Sequence, residues 1–170
     1  MLENNNKSIP VVSAIIEREI KGKKEILMQT RWKPENDPKY SGTIEIPAGV
    51  IEKYENVMDA LKREVKEETG LEVEIRNLKT SKTYRPQGDD ESFAFVPFCG
   101  QQQTKQGKPW IGFVFICETI GGEIKAQEDE VKDIRWVPVE EVKEMLKNPK
   151  QLFALQIGAL ELYVDCLGVL

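Results

Sequence analysis

The chain contains the segment Asn56-Val-Met-Asp-Ala-Leu-Lys-Arg-Glu-Val-Lys-Glu-Glu-Thr-Gly70, which has the pattern of one amphipathic helix. Asn56 is a favoured N-cap residue, and Gly70 is the residue type that most often follows a helix C-terminus. At about 100° per residue, the apolar side chains fall on one stripe. The members of that stripe are Val57, Ala60, Leu61 and Val65. The segment therefore predicts a helix that packs one face against a core.

Three carboxylates crowd the end of this helix. Glu64 and Glu68 fall inside the apolar stripe, and Glu67 lies at its edge. Like charges three or four residues apart repel, and the helix dipole disfavours anions in the last turn, at a few tenths to about 1 kcal/mol each. A hard divalent cation would turn this repulsion into ligation, because Mg²⁺ takes carboxylate oxygens. Taken alone, the same pattern is also typical of a solvated helix face that is neutralised by neighbouring Lys and Arg.

The residues around the helix follow a longer spacing pattern, Gly49-x5-Glu55-x7-Arg63-Glu64-Val-Lys-Glu67-Glu68-Thr-Gly70-Leu71. This resembles the signature of the Nudix (MutT-like) hydrolase family, G-x5-E-x7-R-E-U-x-E-E-x-G-U, in which U is a bulky aliphatic residue. Every constrained position of the signature, residues 49–71, matches. The wider context therefore favours a metal site over a solvated face.

Periodicity and turn residues predict an α+β fold. Strands are expected at 9–19, 25–31, 43–47, 71–78, 92–99, 110–118 and 131–137, and further helices at 138–147 and 151–167. The resemblance implies the same class, a Nudix-type α/β/α sandwich with a mixed, twisted β-sheet and a catalytic loop-helix-loop. One domain is expected over residues 1–170, with 1–8 disordered.

The resemblance implies a metal-binding and catalytic set within the signature. Mg²⁺, or Mn²⁺, is expected on Glu64, Glu68 and Glu67 together with the backbone carbonyl of Ala48. Glu64, Glu67 and Arg63 are the expected catalytic residues of the helix.

Three further signature residues have expected structural roles. Gly49 lets the chain turn tightly beside the ion. Glu55 is one candidate partner for a bidentate ion pair with Arg63. Gly70 ends the helix.

A carboxylate outside the signature commonly completes such sites as a base or an extra ligand. The candidates are Glu128, Asp129 and Glu130, which precede the strand expected at 131–137, and Glu130 is favoured. Glu118 is a weaker candidate. These residues are equally typical of a solvated acidic turn.

Substrate contacts are expected from Arg31, Glu45 and Arg85. Arg31 ends a strand that runs towards the site, and Glu45 alternates with apolar neighbours, so it is expected to face away from the core, towards a sugar, a base or water. Pro86, which follows Arg85, resembles a marker of ADP-ribose and related nucleotide-sugar pyrophosphatases. Trp32 and Trp110 are either stacking platforms or core residues.

Composition excludes several function classes. The 170 residues are 40% apolar and 31% charged, with a net charge of −5, so the chain as a whole presents no basic footprint for nucleic acid. The chain has no histidine, which excludes His-dependent nucleophilic triads and His-ligated zinc. Its three cysteines lack C-x-x-C spacing and are expected to be reduced. No apolar run is long enough for a membrane span, and the absence of a signal-peptide pattern favours the cytoplasm.

The sequence favours a Mg²⁺-dependent pyrophosphohydrolase that cleaves a nucleoside diphosphate linked to another moiety. ADP-ribose or nucleotide-sugar substrates are favoured over nucleoside triphosphates. The alternative is a catalytically silent Nudix domain that binds a nucleotide as a sensor, although such a module has no reason to keep the carboxylate cluster. A calcium-binding structural protein would require a D-x-D-x-D-G loop, which is absent. The apolar surface of the last helix, 151–167, is expected to be buried either in a homodimer or against the chain's own sheet and preceding helix.

Overall fold

The computed structural model describes residues 7–76, 81–127 and 129–167. Within these residues the chain forms ten strands and three α-helices. In order they are β1 Ile9–Ile20, β2 Lys23–Arg31, β3 Ile44–Glu45, β4 Ala48–Val50, α1 Val57–Thr69, β5 Leu71–Ile75, β6 Ser81–Tyr84, β7 Ser92–Phe95, β8 Cys99–Gln102, β9 Trp110–Gly122, β10 Val131–Pro138, α2 Val139–Lys147 and α3 Ile157–Cys166.

The central strand β1 organises a mixed sheet with the order β10-β2-β1-β9-β5. It runs parallel to β9 and antiparallel to β2 and β4. Residues 11–17 of β1 are all buried, because helices cover both faces of the sheet. Val12, Ala14 and Ile16 point into one core cluster, while Ile15 points into the other. The apolar run near the N-terminus is therefore the middle layer of the fold.

The helices form the outer layers. The apolar stripe of α1 packs with Leu27, Val73 and Phe115 of the sheet, and α2 and α3 close the opposite face around Met28 and Val114. The prediction of an α+β sandwich with a mixed sheet is confirmed. Within the described residues, no helix is long and apolar enough to cross a membrane.

The boundaries predicted for α1 agree with the structure. The side chain of Asn56 accepts a hydrogen bond from the Met58 N–H at 2.9 Å. Gly70 adopts a left-handed φ of 77°, and its N–H donates to the Lys66 carbonyl. A Cβ at Gly70 would lie 2.4 Å from the Glu123 carbonyl oxygen. Only glycine fits here, because both the backbone conformation and the neighbouring chain exclude a side chain.

Several strand predictions were wrong in extent. The strand expected at 110–118 continues to Gly122 as β9, and of the strand expected at 43–47 only Ile44–Glu45 forms β3. The strand expected at 92–99 is divided into β7 and β8 at residues 96–98, where Pro97 supplies no backbone N–H for pairing. The short strand β6, which the sequence did not reveal, pairs with β7 in a separate hairpin. The strand expected at 71–78 ends at Ile75, and its last two residues, like residues 1–6 of the expected disordered start, lie outside the described part of the chain.

The continuous helix expected at 151–167 was also wrong. Only Ile157–Cys166 is α-helical, and 3₁₀ turns at Pro149–Gln151 and Ala154–Gln156 precede it. The Phe153 N–H donates to the Ile44 carbonyl at 2.8 Å, so this segment joins the edge strand β3 instead of continuing a helix. Gln156 then brackets Ile46, accepting from its N–H at 2.8 Å and donating to its carbonyl at 3.0 Å.

The apolar side chains of this terminal segment are mostly buried within one chain. Those buried are Leu152, Phe153, Leu155, Ala159, Leu160 and Tyr163. Leu162, which was expected on the buried face, is 48% exposed. Helix α3 therefore packs against the chain's own sheet and α2. The homodimer stays a prediction.

We predict that Gln156→Ala lowers the free energy of unfolding by about 3 kcal/mol, because it removes both side-chain partners of the buried Ile46 backbone. Urea denaturation followed by circular dichroism measures the change. The exposed neighbour Gln151 is the control, and its alanine variant should unfold like wild type. Equal stability of the two variants would mean that Gln156 does not hold the terminal segment to Ile46.

Candidate active site

Helix α1 delivers Glu68 into the interior of the protein. Its side chain is 1% exposed, and its Oε2 accepts hydrogen bonds from Gln29 Nε2 at 2.7 Å and from the Ala48 N–H at 3.1 Å. Its other oxygen, Oε1, is buried without a hydrogen-bond partner among the described residues. Such an atom is costly to bury. The carboxylate is therefore fixed through one oxygen and has the other left for a ligand.

Glu64, one turn earlier, lies directly on the backbone of β4. A Cβ added to Gly49 would lie 1.8 Å from Glu64 Cδ and 2.0 Å from its Oε2. Any side chain at position 49 would displace this carboxylate, so Gly49 serves here as the surface on which Glu64 rests. The resemblance had led us to expect a tight turn at this glycine.

Arg63 ties the helix to the loop that precedes it. Its Nε and Nη2 donate to the two oxygens of Glu55 at 2.7 and 2.9 Å, which is the bidentate pair expected from the sequence. Nη2 also donates to the Val50 carbonyl at 3.0 Å, and Nη1 donates to Glu64 at 2.7 Å and Glu67 at 3.3 Å. One guanidinium thereby fixes the loop and two carboxylates of the cluster.

Glu45 was expected to face sugar, base or water, and this was wrong. It is completely buried beside Gln29 of the neighbouring strand, and its Oε2 accepts from Arg31 Nη1 at 3.2 Å. Arg31 also donates through Nε and Nη2 to Asp37, at 3.0 and 2.8 Å. The strand β3 has only two residues, so alternation gave a poor guide to its faces. Glu45 lies behind the site as the counter-ion of Arg31.

Lys33 is a central residue of the site that the sequence reasoning missed. Its ammonium donates to Glu130 Oε2 and stands 4.0 Å from Glu68 Oε1. Nothing local marks this lysine, which lies in a loop of the kind that usually carries solvated charges. Long-range folding alone brings it to the carboxylates.

The other outside carboxylates are placed differently. Asp129 is exposed, and Glu128 lies outside the described residues. Glu118 is an exposed residue of β9 near Arg76, and it lines a separate surface depression. Of the described candidates, Glu130 is therefore the one that the fold brings to the signature helix.

These residues open onto a cavity of about 250 Å³. Its charged lining residues are Arg31, Lys33, Glu64, Glu67 and Glu130, and residues 48–50 also line it. Its apolar lining residues are Val11, Trp110, Phe153 and Leu155. The Arg31 guanidinium carbon lies 4.8 Å from the Phe153 ring centroid, so charged and aromatic groups meet within the same cavity.

Three aromatic or basic candidates occupy different environments. Trp110 is buried against Tyr40 and Phe153 and borders the cavity. Trp32 is 37% exposed and has the Lys132 ammonium 3.4 Å from its ring centroid. Arg85 is 71% exposed in the loop that joins β6 and β7, paired with Glu91, and it does not line this cavity.

Burial dominates the electrostatics of the cluster. It raises the pKa of Glu68, and the nearby Glu45 carboxylate raises it further. Burial also raises the pKa of Glu64, although Arg63 opposes the rise. In contrast, the hydrogen bonds from Arg63 lower the pKa of Glu55 to about 2. The folded structure therefore disfavours the charged forms of Glu64 and Glu68, whereas it favours the charged form of Glu55.

The donor set fits a hard divalent cation in its chemistry. All candidate ligands are oxygens, Glu68 has a buried oxygen without a partner, and Gly49 leaves room for Glu64. In the described part of the chain, no three acidic or cysteine side chains are arranged to hold a metal ion as they stand. Arg63 instead engages Glu64 and Glu67, and Lys33 engages Glu130.

Comparison with known families assigns the chain to one of them. The family model described as NUDIX domain matches residues 7–156, and the chain belongs to this family. Nudix hydrolases generally use divalent metals. The chain is 33% identical over 118 residues to an ADP-ribose pyrophosphatase of Methanocaldococcus jannaschii, covering 69% of this chain and 55% of that protein.

Two further relatives extend the comparison. The chain is 29% identical over 121 residues to the 8-oxo-dGDP phosphatase NUDT18 of Mus musculus, covering 69% of this chain and 31% of that protein. The crystal structure of a MutT protein from Methanosarcina mazei Go1 shares the fold with a TM-score of 0.64 at 22% identity, covering 97% of this chain and 99% of that one. The chain thus spans between about a third and about a half of the length of these two curated relatives.

We predict that the Arg63–Glu55 pair makes stability depend on pH at acidic values. Since the pKa of Glu55 falls from 4.5 to about 2 on folding, its contribution is complete above about pH 4.5 and is lost as the pH falls towards 2. Thermal unfolding of wild type and Glu55→Gln from pH 2 to 7 should give a Tm difference that is largest near neutrality and vanishes towards pH 2. A difference that is constant over this range would contradict the assignment.

Proposed function

We propose that this protein is a Mg²⁺-dependent Nudix hydrolase that cleaves the diphosphate of a nucleoside diphosphate linked to another moiety. One observation carries the proposal. A single cavity is lined by the carboxylates of Glu64, Glu67 and Glu130 and also by the aromatic side chains of Trp110 and Phe153, and the helix of Glu64 and Glu67 also carries the buried Glu68 with its unpartnered oxygen. A cavity with both charged and aromatic lining fits a substrate that combines a base with phosphates.

The metal is proposed to bind at Glu64, Glu67, Glu68 and the Ala48 carbonyl. When bound, Mg²⁺, or Mn²⁺ in its place, supplies positive charge for the phosphate oxygens and lowers the pKa of a coordinated water. The protein fixes its own ligands beforehand. Glu68 is held by Gln29 and the Ala48 N–H, while Arg63 restrains Glu64 and Glu67.

Glu130 is proposed as the general base. Its side chain is 38% exposed at the edge of the cavity, so it can reach a water there and pass the proton to solvent. Arg31 is proposed to contact the substrate from the cavity wall, where Asp37 and Glu45 hold its guanidinium in place. The exposed position of Arg85 does not favour the substrate contact that was expected of it.

An ADP-ribose or nucleotide-sugar substrate is favoured over a nucleoside triphosphate. The two curated relatives described above are named for ADP-ribose and 8-oxo-dGDP, and both compounds contain a nucleoside diphosphate. The aromatic side chains of the cavity can contact a base, and its charged side chains can contact a diphosphate.

We predict that phosphate-containing product forms from nucleotide sugars in the presence of Mg²⁺ or Mn²⁺, and that excess EDTA abolishes turnover. A product screen over nucleotide sugars, dinucleoside polyphosphates and nucleoside triphosphates, each with metal and with chelator, measures this. Full activity in EDTA would contradict the metal assignment, and turnover of triphosphates alone would overturn the substrate class.

We predict that Glu68→Gln lowers kcat by roughly 100-fold, because it removes a charged ligand while keeping the shape of the side chain. The fold should persist, since the carbonyl oxygen of the new amide can still accept from Gln29 and the burial of a charge is relieved. Steady-state kinetics at saturating Mg²⁺ and thermal unfolding measure the two effects.

Glu74→Gln, on an exposed position of β5, is the matched control. Wild-type kcat in Glu68→Gln would contradict the assignment of Glu68 as a metal ligand, and binding without turnover by wild type would favour a nucleotide sensor.

A further inference from the structure

We infer that the Lys33 ammonium neutralises the carboxylates of the site in the metal-free protein and moves away from them when a metal binds. The inference rests on the proposed function, since it concerns the same site. It assigns to this lysine a role that the Nudix signature does not include, because residue 33 lies outside residues 49–71.

The position of the Lys33 ammonium is the first argument. It bonds Glu130 and stands 4.0 Å from Glu68 Oε1, the buried oxygen that has no hydrogen-bond partner in the described structure. Among the described residues, Lys33 is the only basic side chain within ion-pair distance of Glu68. One ammonium therefore compensates two carboxylates, at the place where the ligand set leaves room for a cation.

The charge of Lys33 acts on more carboxylates than the one that its ammonium bonds. Burial raises the pKa of Glu45, Glu64 and Glu68, and in all three cases the Lys33 charge opposes that rise. A divalent ion at the same carboxylates would also stabilise their charged forms, and more strongly than one ammonium does. Lys33 and the metal therefore compensate the same negative charge. Because two cations repel each other, they compete for the position beside the carboxylates.

The backbone of Lys33 is fixed, whereas its ammonium is not. The Lys33 N–H donates to Ser41 Oγ at 3.1 Å, its carbonyl accepts from the Asp37 N–H at 2.8 Å, and the Trp32 N–H donates to the Glu130 carbonyl at 2.7 Å. The ammonium ends a flexible four-carbon stem that is 20% exposed. It can leave the carboxylates by rotation of the side chain alone.

The two arginines near the carboxylates are bound differently. Arg63 donates to Glu55, Glu64, Glu67 and Val50, and Arg31 donates to Asp37 and Glu45. Either guanidinium would have to break several hydrogen bonds to move. Within the described part of the chain, Lys33 donates its side-chain hydrogen bond to Glu130 alone. Departure of Lys33 would release Glu68 Oε1 and the proposed base Glu130 together.

Mn²⁺ binding to the purified protein tests the inference without any substrate. Free Mn²⁺ is followed by electron paramagnetic resonance during titration of wild type, Lys33→Met, Lys33→Arg and Lys39→Met. Lys33→Met removes the competing charge and should bind Mn²⁺ about tenfold more tightly, the effect expected for loss of one charge-assisted hydrogen bond in the metal-free state. Lys33→Arg keeps the charge and should stay closer to wild type.

Lys39 provides the matched control. It lies in the same loop, its ammonium contacts Gln106 and the Tyr40 ring, and it does not line the cavity. Lys39→Met should bind Mn²⁺ like wild type. As a second measurement, Mn²⁺ should raise the Tm of Lys33→Met by more than it raises the Tm of wild type, because tighter binding to the folded state gives a larger shift.

The outcomes separate this inference from the proposed function. Unchanged or weaker Mn²⁺ binding by folded Lys33→Met overturns the inference, and so does an equal gain in Lys39→Met. Failure of wild type to bind Mn²⁺ at millimolar concentration would overturn the metal dependence itself, and the inference with it.

Discussion

Burial of the Glu68 carboxylate is the constraint on which the site depends. A carboxylate removed from water must be paired or hydrogen-bonded, and the surrounding fold supplies these partners from three separate segments. Gln29 comes from β2, the Ala48 N–H from β4, and Lys33 from the loop after β2. Behind them, the buried pair of Arg31 and Glu45 continues the charge network into the core. The apolar core and the polar site are thus built from the same strands.

The close approach of α1 to β4 gives the site its shape. Gly49 allows the Glu64 carboxylate to rest on the backbone, and the Arg63 guanidinium closes the loop between them through Glu55 and the Val50 carbonyl. The signature residues therefore act as one structural unit, in which an arginine, a glycine and a loop carboxylate hold the cluster. Substitution of Arg63 or Gly49 would move carboxylates of the cluster directly, and substitution of Glu55 would move them through Arg63.

The sequence was informative where the determinants are local. Asn56 and Gly70 mark the ends of α1 because capping depends on the nearest few residues. It was less informative where tertiary contacts override local preference. Gln156 binds the Ile46 backbone across the fold, and its segment therefore departs from the helix that its apolar pattern suggested. Glu45 and Lys33 could not be placed, since the first is turned inward by a buried arginine and the second is brought to the carboxylates only by the folded loop.

The position of the terminal segment affects how the lining of the cavity can change during evolution. Phe153 and Leu155 reach the cavity because their stretch of chain is extended or 3₁₀ before α3 begins, while the carboxylates come from a helix far earlier in the chain. Two of the four apolar lining residues are therefore encoded apart from the helix that carries the carboxylates. Changes in this segment can alter the apolar lining of the cavity without disturbing the acidic helix.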